Sequence, residues 1–173
     1  PNFDEIAKYT GALKPGNLMI FRDYAAAGDT LKQNKEIARA SGRLQVLCYK
    51  EEIEAALRTK GQSGFQLLDL HDFPGQGTAL IGVLDAFWDS KGYVTPAEYR
   101  RFCNTTVPLA RLAKRTFTTA EVLEVPIEIS HFGPAPLENA KPYWRLVDAG
   151  GKVAASGDLP ARTIPLDNGT PLG

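Results

Sequence analysis

The chain is poor in the side chains that most nucleophilic and metal chemistry needs: two cysteines and two histidines in 173 residues. Cys48 and Cys103 stand far apart, without metal-type spacing, and read as two buried thiols rather than a disulfide. A histidine-based triad would have to use His71, and no serine or cysteine is suggestively placed beside it; His131 falls in a strand-rich region. The P-loop, GxGxxG after a strand, GxSxG and HExxH are all missing. No apolar run approaches the ~20 residues that span a bilayer, and no secretory signal is visible. Twenty basic residues balance twenty acidic ones, so charge gives no reason to expect nucleic acid or an anionic membrane as partner. No cofactor is called for, and oligomeric state is left open.

What is present is ordinary for a globular chain, 43% apolar and 23% charged, with a change of pattern near residue 104. Before it the period is helical. Asn2 to Thr10 reads as a short helix, Pro15 to Gly28 as a second, and a third runs from Asp29 or Thr30 to Arg58, with a kink or split expected at Ser41-Gly42. Glu54 and Arg58 form an i,i+4 pair expected on the wet side, and Glu51, Glu52 and Glu54 a solvated face. Thr95-Pro96 opens another helix that carries Cys103. After residue 104 the period is two. Glu124 to Ser130 alternates, with Pro126 confining it to an edge or bulge. Tyr143 to Asp148 and Lys152 to Ser156 flank a Gly-rich hairpin turn, while Val107 to Leu112 and Arg162 to Leu166 are weaker strands. The basic cluster Arg111, Lys114 and Arg115 is assigned no ligand.

The run from Gly64 to Gly92 carries the chemistry. Phe65 to Leu70 reads as a buried strand, and it breaks into a polar, Gly/Pro-bent loop, His71 to Thr78. A strand that fixes such a loop is where α/β barrels place their sites. Asp69, Asp72, Asp85 and Asp89 cluster there, and Trp88 with Asp89 sets an aromatic face beside a carboxylate, which suits a sugar ring. A turn packed on a core tryptophan accounts for the same residues.

The segment GFQLLDLHDFPGQGTALIGVLDAFWDSKG resembles the end of the catalytic barrel in bacterial glycoside hydrolases of family 2, the β-galactosidase, β-mannosidase and exo-glucosaminidase relatives. PNFDEIAKYTGALKPGNL, SGRLQVLCYKEEIEAALRT and VPIEISHFGPAPLENAKPYWRL resemble the same group. The resemblance implies a C-terminal fragment of a (β/α)8 barrel over residues 1–104 and a partial immunoglobulin-like β-sandwich over 105–173. It implies retaining, two-carboxylate hydrolysis of glycosidic bonds, with both catalytic glutamates upstream of Pro1 and none in this chain. His71, Asp72, Gln76 and Trp88 would then bind the carbohydrate substrate, by hydrogen bonds to hydroxyls and, for Trp88, by stacking. The resemblance also implies a periplasmic or secreted protein.

Two other readings use the same residues. A non-catalytic carbohydrate-binding or adhesion sandwich would use Phe132, Tyr143 and Trp144. A metal-dependent hydrolase would need Asp69, Asp72 and a third oxygen ligand facing one point.

Overall fold

The computed structural model describes residues 1–73, 76 and 79–173. Among these residues helices are combined with three small antiparallel sheets, and the chain divides into two compact units. One is Pro1–Glu51 with Gln66–Tyr99, the other Glu52–Phe65 with Arg100–Gly173. The sequence division at residue 104 had left residues 52–65 in the first part; they group with the second unit. No helix among the described residues is long and apolar enough to cross a membrane.

The first unit begins with a 3-10 helix, Phe3–Lys8, whose N-terminus is capped by Asn2 Oδ1 accepting the Asp4 N–H at 3.3 Å. α1 spans Gly16–Ala27 and stops at Gly28, whose N–H reaches the Tyr24 carbonyl. α2 spans Asn34–Arg58, its first eighteen residues in this unit. It runs unbroken through Ser41-Gly42, where the sequence had suggested a kink. The glycine serves packing instead: a Cβ at Gly42 would lie 2.4 Å from the Tyr93 ring. α3, Pro96–Tyr99, opens on a capping box, with Glu98 Oε2 accepting the Thr95 N–H at 2.8 Å and Thr95 Oγ1 accepting the Glu98 N–H at 3.2 Å.

Phe65 to Leu70 is not a strand. Among the described residues, 65–69 have no neighbouring strand to accept their backbone groups, and Leu68 is 80% exposed. What forms is smaller. Single-residue bridges join His71 to Leu84 and Leu84 to Ser90, so three short segments cross side by side.

In the second unit β1 (Thr106–Ala110), β2 (Ile127–His131) and β7 (Asp167–Pro171) form one sheet in the order β1-β2-β7. β3 (Leu137–Ala140) pairs with β6 (Arg162–Ile164), and β4 (Tyr143–Val147) with β5 (Val153–Asp158). Alternation turns Val107 and Leu109 of β1 inward. Ile129, Ile164 and Leu172 form a core that Ile127, Ala140 and Leu159 complete, joining the first two sheets. Pro126 lies just outside β2, where its carbonyl accepts the Arg111 N–H. At the β4–β5 turn, Asp148 Oδ1 accepts the N–H groups of Gly150 and Lys152, both at 2.9 Å, and Gly151 adopts φ +83°.

Three sequence expectations are corrected here. The Glu54–Arg58 pair, 2.7 Å apart, is buried rather than wet, because Arg58 Nη2 also donates to the Ala110 carbonyl at 3.0 Å. Cys48 is exposed, since the apolar stripe it shares with Leu44 and Leu47 on α2 is left uncovered. Cys103 lies in a turn past α3, and burial raises its thiol pKa. His131 is a structural histidine. Its Nε2 donates to the Ala135 carbonyl at 2.9 Å, which leaves Nδ1 to accept from Thr106 Oγ1 at 2.7 Å.

An alanine in a helix interior normally gains about 1 kcal/mol over glycine. Gly42→Ala reverses that sign, because its methyl must displace the Tyr93 ring, and thermal melting should show a lower midpoint than wild type.

Candidate functional site

The crossing of segments 70–73, 81–85 and 89–91 is held by a few backbone bonds. Asp72 N–H reaches the Leu84 carbonyl at 3.1 Å, Val83 N–H the Leu70 carbonyl at 3.0 Å, and Lys91 N–H the Val83 carbonyl at 3.2 Å. Gly82 makes the approach feasible: a Cβ there would stand 2.3 Å from backbone atoms of His71.

Between these segments lies a buried ion pair. Lys91 Nζ donates to Asp72 Oδ1 at 2.6 Å, with side chains 5% and 2% exposed. The same ammonium reaches the Gly82 carbonyl at 2.9 Å, and Asp72 Oδ1 also accepts the Gly82 N–H at 2.9 Å. Each partner is thus hydrogen-bonded beyond the pair, the condition under which a buried pair is tolerated.

Asp85 builds the second feature. Its Oδ1 accepts the N–H groups of Phe87 at 2.8 Å and Asp89 at 3.0 Å, while its carbonyl accepts the Trp88 N–H at 3.0 Å. Lys8 reaches over from the 3-10 helix to bond Asp85 Oδ2, and Asp89 Oδ2 at 2.7 Å. Burial alone would raise the Asp85 pKa, but the Lys8 ammonium and the two backbone N–H groups outweigh it and lower the value. Hydrogen bonds to Asp85 and Asp89 raise the Lys8 pKa. The turn presents Trp88 at φ +68°, a conformation bulky residues rarely adopt, with 61% of the residue exposed. The His71 ring stands edge-on to it, centroids 4.4 Å apart at 68°. His71 Nδ1 lies 2.7 Å from the Asp72 carbonyl.

Of the four residues the sequence singled out, His71 and Trp88 come together at the surface. Asp72 is corrected: it had been expected to meet a sugar hydroxyl, but it is 1% exposed and turned toward Lys91. Gln76 is exposed, with its N–H on the Phe73 carbonyl at 3.4 Å, and is not bonded to the other three among the described residues. Pro74, Gly75, Gly77 and Thr78 of the expected loop lie outside the described residues. Asp69 contributes its carbonyl to the Tyr49 hydroxyl at 3.1 Å. No metal-binding group of three His, Cys, Asp or Glu occurs among the described residues.

Sequence reasoning missed Glu5, Lys8 and Lys91. Glu5 is 1% exposed, and its Oε2 has no hydrogen-bond partner among the described residues. Burial, then the negative charges of Asp72 and Asp85, push its carboxyl up to about 7. In sequence it looks like a helix-terminal acid facing water, so nothing flagged it. Gly82 inside an apolar run was the readable signal of a close backbone approach.

Helices together with antiparallel sheets define a mixed α/β protein, and a family described as a domain of unknown function (DUF8488) matches residues 121–173. The match takes in β2 to β7 and lies within the second unit. No curated protein matches the chain.

Lys91→Met leaves the Asp72 carboxylate buried without its cation and should cost about 3–5 kcal/mol in chemical denaturation; adding Asp72→Leu should recover most of that loss. For Glu5 the sign follows from proton counting. The folded carboxyl keeps its proton to about pH 7, whereas an unperturbed one releases it near 4.5. Between those values the unfolded state binds fewer protons, so stability falls as pH rises, by about 3 kcal/mol in all, and is level above. Glu5→Gln should abolish that slope and melt higher than wild type at pH 8.

Proposed function

We propose that the chain is the C-terminal end of a glycoside hydrolase barrel of the family 2 kind, followed by part of an immunoglobulin-like sandwich. In this reading His71 and Trp88 form part of the rim of the sugar subsite. The observation that carries it is Trp88, displayed to solvent in a strained conformation by a turn that Asp85 and Lys8 clamp. Strain of this kind costs on the order of 1–3 kcal/mol and tends to gather at binding sites. An exposed indole offers a flat apolar face to the C–H groups of a pyranose, and His71 beside it supplies a ring nitrogen for a hydroxyl. Asp72 acts from inside, holding the backbone that aims His71.

The uncovered apolar side chains of the helices also support this reading. Ile20 and Tyr24 of α1 and Ile37, Leu44 and Leu47 of α2 are exposed, as expected of helices patterned to be covered by further barrel elements. The retaining mechanism needs two carboxyl groups about 5–5.5 Å apart across the scissile bond. In this reading they come from outside these residues, so the chain binds sugar but does not hydrolyse it.

A second reading, a carbohydrate-binding or adhesion module, is favoured by the exposed Tyr143 and Trp144 of β4. The Trp144 indole lies across Gly157, where a Cβ would stand 2.8 Å from it.

Titration with galactose, mannose and glucosamine in a Trp144→Phe background should perturb Trp88 fluorescence with millimolar affinity, and Trp88→Ala should abolish binding read by calorimetry while the fold persists. The same pure chain should leave nitrophenyl glycosides intact. Saccharide binding that survives Trp88→Ala but fails in Trp144→Ala would transfer the site to β4. No binding by either would end both readings.

A further inference from the structure

Within the first unit, α2 and the segment from Ser90 to Glu98 line an open cleft of about 330 Å³. Arg39 and Arg43 form the helical wall. Four residues apart, they share one face of α2, an arrangement in which like charges repel and cost helix stability. Nothing offsets that cost: among the described residues neither guanidinium forms an ion pair or a hydrogen bond, and Glu36, one turn before Arg39, is not paired with it. Glu98 shares the cleft, but its Oε2 accepts both the Thr95 N–H and the Thr95 O–H, each at 2.8 Å. One carboxylate against two guanidinium groups leaves the cleft positive. The facing wall is held close, since the Tyr93 ring lies against Gly42, the residue before Arg43, with no room for a Cβ between them. It is also rich in donors. Ser90 Oγ accepts the Gly92 N–H at 3.1 Å, which leaves its own O–H to give, and the N–H groups of Tyr93 and Val94 have no acceptor among the described residues. At about 100° per residue, Arg39 and Arg43 lie on the side of α2 away from the exposed Ile37 and Leu44, so a cover on that apolar stripe leaves the cleft open.

We propose that this cleft binds a tetrahedral oxyanion, sulfate or phosphate, free or as the ester group of a small molecule, between Arg39 and Arg43 and the Ser90–Val94 wall. A guanidinium presents its N–H groups as a rigid fork that matches two oxygens of such an anion. Two forks one helical turn apart can hold it from the α2 side, while the Ser90 hydroxyl and the Tyr93 and Val94 N–H groups are the donors of the other wall. A tetrahedral group has oxygens for both walls; a flat carboxylate offers two in one plane. The cleft is larger than a single ion, so the molecule carrying an esterified anion has room beside it. Binding also removes the repulsion between Arg39 and Arg43, replacing an uncompensated cost with charge-assisted bonds. The wall of arginines is exposed to water, so the attraction is of millimolar strength and weakens as salt screens it.

The site goes beyond the sugar-rim reading and does not rest on it, because neither His71 nor Trp88 lines the cleft. The pure chain is titrated with sodium sulfate, sodium phosphate and sodium acetate, at one ionic strength held with sodium chloride, by backbone-amide NMR and calorimetry. Sulfate and phosphate should bind with millimolar dissociation constants and move the Ser90, Tyr93 and Val94 amide signals, with acetate about tenfold weaker. Arg39→Gln and Arg43→Gln should each weaken binding about tenfold, and Arg43→Lys less, since it keeps the charge and loses the fork. Both side chains are exposed, so the remaining amide signals should stay where they are. A second arm compares galactose 6-sulfate and ribose 5-phosphate with their unesterified sugars. Esters that bind more tightly than the inorganic ions identify a carried anion, and esters that bind no better identify the free ion; the oxyanion site stands in both cases. Three results would overturn it: no movement of those amides with sulfate or phosphate, undiminished binding in the double variant Arg39→Gln/Arg43→Gln, or acetate binding as tightly as sulfate. Sulfate binding should survive Trp88→Ala, which separates failure of the sugar rim from failure of this site.

Discussion

Lysine and aspartate rarely leave water together, and the first unit is organised by one such pair. Lys91 and Asp72 bind each other across a gap that only Gly82 keeps narrow, so three stretches too short to make a sheet are nevertheless locked in register. Such a pair is a weak source of net stability, because desolvation consumes most of the Coulombic gain. Its contribution is direction. Every hydrogen bond of the two head groups points to a named partner, and a slip of one residue would strand a charge in the interior.

The rest of the site follows from that constraint. With Asp72 turned in, His71 must turn out, since neighbouring side chains on an extended segment face opposite ways. Asp85, on the next segment, repeats the device with Lys8 and uses its remaining lone pairs to fold a turn. The aromatic pair at the surface is thus held by two buried carboxylates, each with its own lysine. Glu5 is the third carboxylate, and it has no lysine to itself.

Local periodicity made the helices legible. Pro15, Gly28 and Thr95-Pro96 mark ends that lie within a residue or two of those observed, and β1, β2, β4, β5 and β6 overlap their predicted segments. Phe65 to Leu70 failed because strand character depends on a neighbour, and no apolar run announces whether one is present. β3 and β7 were missed for a related reason: LENA and DNGTP carry no alternation, and their pairing is decided by β6 and β2. At the site, residue types in the Gly64 to Gly92 run were readable, but orientation was not. Asp72 and His71 are adjacent in sequence and opposite in fate. Lys91 looked like one more surface lysine, and Glu5 lay nearly sixty residues from that run.

The β4–β5 hairpin stands apart in energetic character. Every residue of β4 is exposed, and among the described residues the two strands pair only with each other. Its stability therefore rests on cross-strand contacts such as Trp144 over Gly157 and on the Asp148 turn, not on the Ile129–Ile164–Leu172 core. A segment built this way opens as its own cooperative unit. Its amides exchange with solvent, and its backbone becomes accessible to proteases, by a local fluctuation that leaves the core shut.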